Sequence, residues 1–153
     1  MEAYVSLIPF LIIVFAAALT GALFMPGEWY KSLSKPTWTP PDWLFAPAWT
    51  VLYAMIAVAG WLVWQTEGWT VALFFWIANI IFNAAWSWLM FGRQQIQAAL
   101  YDALAMLLTI IAFIALTKDS VPIAAGLFVP YLAWVAFATA LNYAILIRNP
   151  RPT

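Results

Sequence analysis

Cysteine is absent from the 153 residues, and so is histidine. The first absence excludes disulfides, thiolate catalysis and cysteine-held metals. The second removes the usual zinc and haem ligand, the usual general base and any Ser-His-Asp triad. Charge is scarce as well. Six basic and six acidic residues make up 8% of the chain, where a soluble domain carries roughly 25%. So few charges cannot cover a water-facing globule of this length, and a lipid bilayer is the natural surrounding for the rest. The two signs balance, which leaves no basic footprint for nucleic acid. What the sequence has in excess is apolar and indole surface: 67% hydrophobic, 18% aromatic, eleven tryptophans.

Five apolar stretches, at about 4–24, 46–64, 70–91, 98–117 and 121–147, predict five membrane-crossing helices. The first carries no charge, and ~21 residues at 1.5 Å each suffice for a ~30 Å hydrocarbon core. It has no basic stretch ahead of it, as a signal peptide would, and reads as a retained helix. The expected fold is therefore all-α: an integral membrane bundle of five transmembrane helices, a single domain over residues 1–153. The links at 65–69, 92–95 and 118–120 are short and force antiparallel neighbours. The exception is 25–45. It holds Trp29, Tyr30, Trp38 and Trp43, and prolines at 26, 36, 40 and 41. Disordered segments are poor in aromatics, so this one reads as an ordered lid whose rings pack on the bundle mouth. Lys31, Lys35, Arg93, Arg148 and Arg151 fall on the lid side and Lys118 alone on the other. In a bacterial cell membrane that asymmetry puts the lid and the C-terminus in the cytoplasm.

Few side chains can carry chemistry. Asp102 is the one ionisable group inside a predicted span, about one turn in from the lid side. It either snorkels to the interface and takes bonds from Tyr or Trp donors, or it meets a ligand or a proton. Asn79 and Asn83 lie four apart on one face of the third helix, with Trp76 and Trp86 on or near that stripe. They either bond between helices or orient a ligand beside aromatic walls. On the fifth helix Trp134, Ala138, Leu141 and Ile145 form a stripe in which Ala138 leaves space. Trp49 opens the second helix beside the lid. Most tryptophans serve as interface anchors, yet a space walled by Trp49, Trp86 and Trp134 would suit a large, flat, hydrophobic ligand. Leu141, Tyr143 and Arg148 fit a pattern proposed for cholesterol, which also describes an ordinary Tyr-Arg anchor. Ala17/Gly21 and Ala18/Ala22 permit close helix contact, within the bundle or across a dimer.

Lys35-Pro36-Thr37-Trp38-Thr39-Pro40-Pro41 after Trp29-Tyr30, then Pro47-Ala48-Trp49-Thr50-Val51-Leu52-Tyr53, resembles the tryptophan-rich sensory protein/translocator protein (TspO/MBR) family. The likeness continues in Phe82-Asn83-Ala84-Ala85-Trp86, Phe91-Gly92, Pro130 to Thr139 and Leu141-Asn142-Tyr143. It covers nearly the whole chain, in order. It implies a five-helix bundle, commonly a homodimer, that binds protoporphyrin IX or haem as ligand, and also sterols and benzodiazepine-type compounds, between the helices near the long loop. Ligand contacts then fall on Tyr30, Trp49, Asn83, Trp86, Trp134, Ala138 and Leu141, and the sterol motif on Leu141, Tyr143 and Arg148. Trp49 and Trp134 match tryptophans implicated in light-dependent porphyrin breakdown. Ala98 stands where some members place a large aromatic.

Three functions follow as expectations. The first is a membrane receptor or sensor that stacks a porphyrin under the closing lid, with no obligatory cofactor and no metal site. Tyr30 or a methionine would be the axial partner if haem is the ligand. The second is a photo-oxidative, porphyrin-degrading enzyme acting through Trp49 and Trp134, with no hydrolytic site. The third is a tetrapyrrole or sterol transporter, against which the lack of an internal repeat counts.

Overall fold

The computed structural model describes residues 2–150; Arg151, part of the charge argument above, lies outside them. Among the described residues there is no strand. The helices are α1 (Glu2–Val5), α2 (Ile8–Leu23), α3 (Glu28–Ser32), α4 (Asp42–Glu67), α5 (Val71–Ser87), α6 (Ile96–Thr117) and α7 (Pro122–Arg148), with a π-helical turn, Trp88–Gly92, after α5. Five helical segments among these residues are long and apolar enough to cross a membrane: Glu2–Leu23, Asp42–Glu67, Val71–Gly92, Ile96–Thr117 and Pro122–Arg148. This is the expected multi-pass bundle.

Local chemistry explains the ends. Pro40-Pro41 cannot continue a helix from the lid, and Pro41 caps α4 in an extended conformation. The helix therefore starts at Asp42 rather than near 46. It runs past 64 through Gln65, Thr66 and Glu67 to Gly68, whose φ of 70° ends it. The third span closes on a wide turn. Arg93 N–H bonds to the Trp88 carbonyl and Gln95 N–H to that of Leu89, occupying carbonyls an α-helical end would leave open. Gly92 is needed there, because a Cβ would sit 2.9 Å from the Phe24 ring.

Spans consecutive in the chain are antiparallel, α2 and α5 pack side by side in parallel, and α6 packs between α5 and α7. The main core joins Ile56, Ala59 and Val63 of α4, Leu73 and Trp76 of α5, Ile110 and Phe113 of α6, and Phe128, Tyr131 and Val135 of α7. Trp76 is buried over Gly60 and donates Nε1–H to the Ile56 carbonyl at 2.9 Å. Ala17 is buried and a Cβ on Gly21 would lie 3.8 Å from Ser87 Oγ, so this small-residue row serves contact within the bundle, while Ala22 is exposed. The outer faces carry Ile12, Phe15, Phe74, Ile81, Leu108 and Val129, as a lipid-facing surface requires.

A second, smaller core lies under the 24–41 segment. It unites Tyr30, Met90, Ile96, Ala99, Leu141 and Ile145, with Trp29, Leu33, Phe45, Trp86, Phe91 and Phe137 packed against it. The lid is thus ordered on the bundle end, as expected, and contains the short helix α3.

Candidate functional site

The site lies where the two cores meet, and Trp86 packs against both. Its position is held by an Nε1–H bond to Asn142 Oδ1 at 3.1 Å; Asn142 in turn donates to the Ile96 carbonyl at 3.0 Å. Trp49 and Trp134 meet edge to face, centroids 6.3 Å apart and planes at 89°. Around them stand Tyr53 (5.4 Å from Trp49), Tyr131 (6.3 Å from Trp49), Phe45 (5.8 Å from Trp134) and Phe137 (6.1 Å from Trp134). From the lid, Trp38 reaches Phe137 at 5.6 Å. Tyr30 meets Phe91 at 5.4 Å, and Phe91 meets Trp86 at 5.5 Å. The three tryptophans expected to wall a pocket therefore do face inward, under the lid.

Two open grooves lie at the lid-side end of the bundle. One, of about 330 Å³, runs between the lid and the ends of α6 and α7, lined by Trp29, Leu33, Gln94, Ile96, Gln97, Leu146, Asn149 and Pro150. Another, of about 320 Å³, is lined by Gln95, Gln97, Ala98 and Tyr101, where the small Ala98 side chain leaves room.

The asparagines are committed to the bundle. Tyr53 donates to Asn83 Oδ1 (3.2 Å), Asn83 Nδ2 to Tyr131 (2.9 Å), Tyr131 to Asn79 Oδ1 (2.9 Å), and Asn79 Nδ2 to Thr109 Oγ1 (3.0 Å). Thr109 ends the chain on the Met106 carbonyl at 2.6 Å. Each member donates one bond onward, so four helices are tied by one directional path. Of the two roles open for Asn79 and Asn83, the interhelical one is present. Tyr53, Tyr131 and Thr109 of this path, and Asn142 beside Trp86, are the residues sequence reasoning missed. A tyrosine or threonine in an apolar run gives no sign of which face it takes, although Tyr53, Tyr131 and Asn142 each stood in a motif with a residue already singled out.

The remaining candidates separate. Ala138 is half-buried beside Trp134, and Leu141 is buried in the lid-side core. Tyr143 is 55% exposed and Arg148 is exposed, so Leu141 faces in while Tyr143 faces out. Tyr30 is buried, with the Lys35 ammonium 4.6 Å from its ring centroid. Burial first, and the Asp42 carboxylate second, push the Tyr30 phenol above its ordinary value. That opposes the phenolate a haem iron would prefer. Met90 and Met106 are both buried. No group of three His, Cys, Asp or Glu side chains that could hold a metal occurs among the described residues.

One side chain hydrogen-bonds the lid to the end of α7. Asn149 Oδ1 accepts from Ser34 N–H and Asn149 Nδ2 donates to the Ser34 carbonyl, both at 2.9 Å. Lys35 Nζ donates to the Tyr30 carbonyl at 2.7 Å and folds the turn onto itself.

Residues 8–148 match the TspO/MBR family. Among curated relatives, a tryptophan-rich sensory protein of Cereibacter sphaeroides is 41% identical over 88% of this chain and 85% of its own. A tryptophan-rich protein TspO of Archaeoglobus fulgidus is 36% identical over 94% and 97%. The human translocator protein is 38% identical over 82% and 79%.

Proposed function

Because this chain belongs to the TspO/MBR family, we propose that it is a membrane receptor or sensor for porphyrins, protoporphyrin IX or haem, with sterols and benzodiazepine-type compounds as further ligands. The observation that carries this reading is the convergence of Trp49, Trp86 and Trp134 under a ring-bearing lid. Flat apolar ligands gain from such walls through stacking and burial. Because Trp49 and Trp134 touch each other, a macrocycle enters between them only as they part and the lid lifts, so binding is slow and closes behind the ligand. Tyr30, Leu141 and Ala138 complete the walls. A sterol would meet Tyr143 and Arg148 from the lipid side. The reading includes the lid and C-terminus on the cytoplasmic face of a bacterial membrane and assembly as a homodimer.

Titration with protoporphyrin IX, haem and cholesterol, followed by tryptophan fluorescence, tests it. Saturable quenching that Ala138→Phe abolishes supports the reading; quenching that Ala138→Phe leaves unchanged places the ligand elsewhere.

One geometric feature favours a second reading, photo-oxidative porphyrin breakdown: the edge-to-face contact of Trp49 and Trp134. A porphyrin excited beside them would take one electron from an indole, leaving an indole radical cation and a porphyrin radical anion, and dioxygen would be the oxidant that carries this pair on to ring-opened product. Illumination should then bleach bound protoporphyrin IX in the wild type and not in a Trp49→Phe/Trp134→Phe variant. Bleaching at the full rate in that variant excludes the mechanism.

A further inference from the structure

Asp102 takes no part in the hydrogen-bond chain that ties the helices together. It is only 9% exposed, and its Oδ2 has no hydrogen-bond partner among the described residues. It does not snorkel. It belongs to the inward stripe of α6 with Ala99, Ala103 and Met106. An unpaired carboxylate in hydrocarbon is costly and is kept where something compensates it. Bonds between the helices give the depth at which it sits. Asn142 bonds to Ile96 and Phe113 stacks on Phe128, which sets Asp102 level with Ala138 on α7. Asn79 bonds to Thr109 and Asn83 reaches Met106, which sets it level with Trp86 on α5. Tyr53 bonds to Asn83, which brings Trp49 of α4 to the same depth. Within one turn on α7, Trp134 Nε1 is a second buried polar atom with no partner. Among the described residues, an open acceptor and an open donor thus lie within about one turn of each other in depth, at the level of the ring-lined site, in a region with no Lys or Arg side chain of its own.

We propose that Asp102 is the charge-selecting contact of this site, and that the site favours a flat aromatic ligand bearing a protonated amine, whose N–H donates to Asp102 Oδ2. This rests on the Trp-lined site being where ligands bind. An anionic substituent at that depth is disfavoured, so a porphyrin would lie with its carboxylates turned toward the lid-side bases and away from Asp102.

Two pyrene probes of equal ring size separate the charge from the ring: 1-pyrenemethylamine, cationic at neutral pH, and 1-pyrenemethanol. Both are titrated against the full chain in discs of zwitterionic lipid, with energy transfer from tryptophan as the signal. The amine should bind about tenfold tighter than the alcohol, the effect of one charge-assisted hydrogen bond. Asp102→Asn should reduce the amine's affinity to that of the alcohol, and Asp102→Glu should keep the preference. Equal affinities in the wild type, or a preference that survives Asp102→Asn, overturn the proposal while leaving the ring-lined site standing. If neither probe binds saturably, or if Ala138→Phe changes neither titration, the ring-lined site itself falls and the proposal with it.

Discussion

Tyr131 is the residue through which the buried polar chain passes from α5 to α7 and back. Its oxygen accepts from Asn83 and its hydrogen goes to Asn79. Tyr131→Phe keeps the ring and takes one partner from each amide, the acceptor of Asn83 Nδ2 and the donor to Asn79 Oδ1. An unpaired buried polar group costs about 1–3 kcal/mol in water-soluble proteins, and interhelical bonds in membranes average about 0.6 kcal/mol. A loss of about 1 kcal/mol is expected, measured by unfolding in mixed micelles; unchanged stability would mean that the hydroxyl ties nothing together. Gly60 answers a different constraint. A Cβ there would sit 2.5 Å from the Trp76 indole, itself 1% exposed and hydrogen-bonded to Ile56. Gly60→Val should therefore cost about 1–3 kcal/mol by overpacking, seen as a lower Tm, with a loss larger than that of the same change at Gly126, where nothing lies within 4 Å.

The lid is an element with little regular structure, and its order comes from where its ends and rings are held. α3 spans Glu28–Ser32, too short to be stable by itself in water. Its Tyr30 is buried in the lid-side core, and Asn149 pairs both of its amide groups with the Ser34 backbone. Removing that pair with Asn149→Ala deletes two cross-links of about 0.5–1.5 kcal/mol each. Hydrogen exchange at Ser34 N–H should accelerate, and trypsin should cut sooner after Lys31. The fifth span should keep its protection. If exchange at Ser34 stays at the wild-type rate, the lid is held by its rings alone.

At the scale of the molecule, the bundle has an apolar core threaded by one polar path, and an exterior that is apolar where a soluble protein's would be polar. Exposed Ile12, Phe15, Phe74, Ile81 and Leu108 make sense only in lipid. The chain should therefore stay with the membrane through alkaline extraction. The lid-side bases Lys31, Lys35, Arg93 and Arg148 stand against Lys118, which pairs at 3.7 Å with Asp119 at the opposite end. That asymmetry predicts that a reporter inserted at Ser120 reads as external and one inserted at Ser34 as cytoplasmic. The opposite pattern would reverse the proposed orientation and place the lid outside.

The sequence by itself determined the number of spans, their order and the membrane as their solvent. Those follow from the length and hydropathy of each run, which are local properties of residues such as Tyr4 to Phe24. It also determined that Trp49, Trp86 and Trp134 share one end of the bundle, since their distance from the lid is set by helical rise. The start of α4 at Asp42 was legible in Pro40-Pro41, but apolarity alone placed it later. Only the tertiary structure decided which polar groups are spent and which stay open. Asn79 and Asn83 are satisfied because Tyr53, Tyr131 and Thr109 arrive from other helices, and Asp102 Oδ2 is left open because nothing does. Partners brought from remote parts of the chain have no signature in the spacing of any one segment.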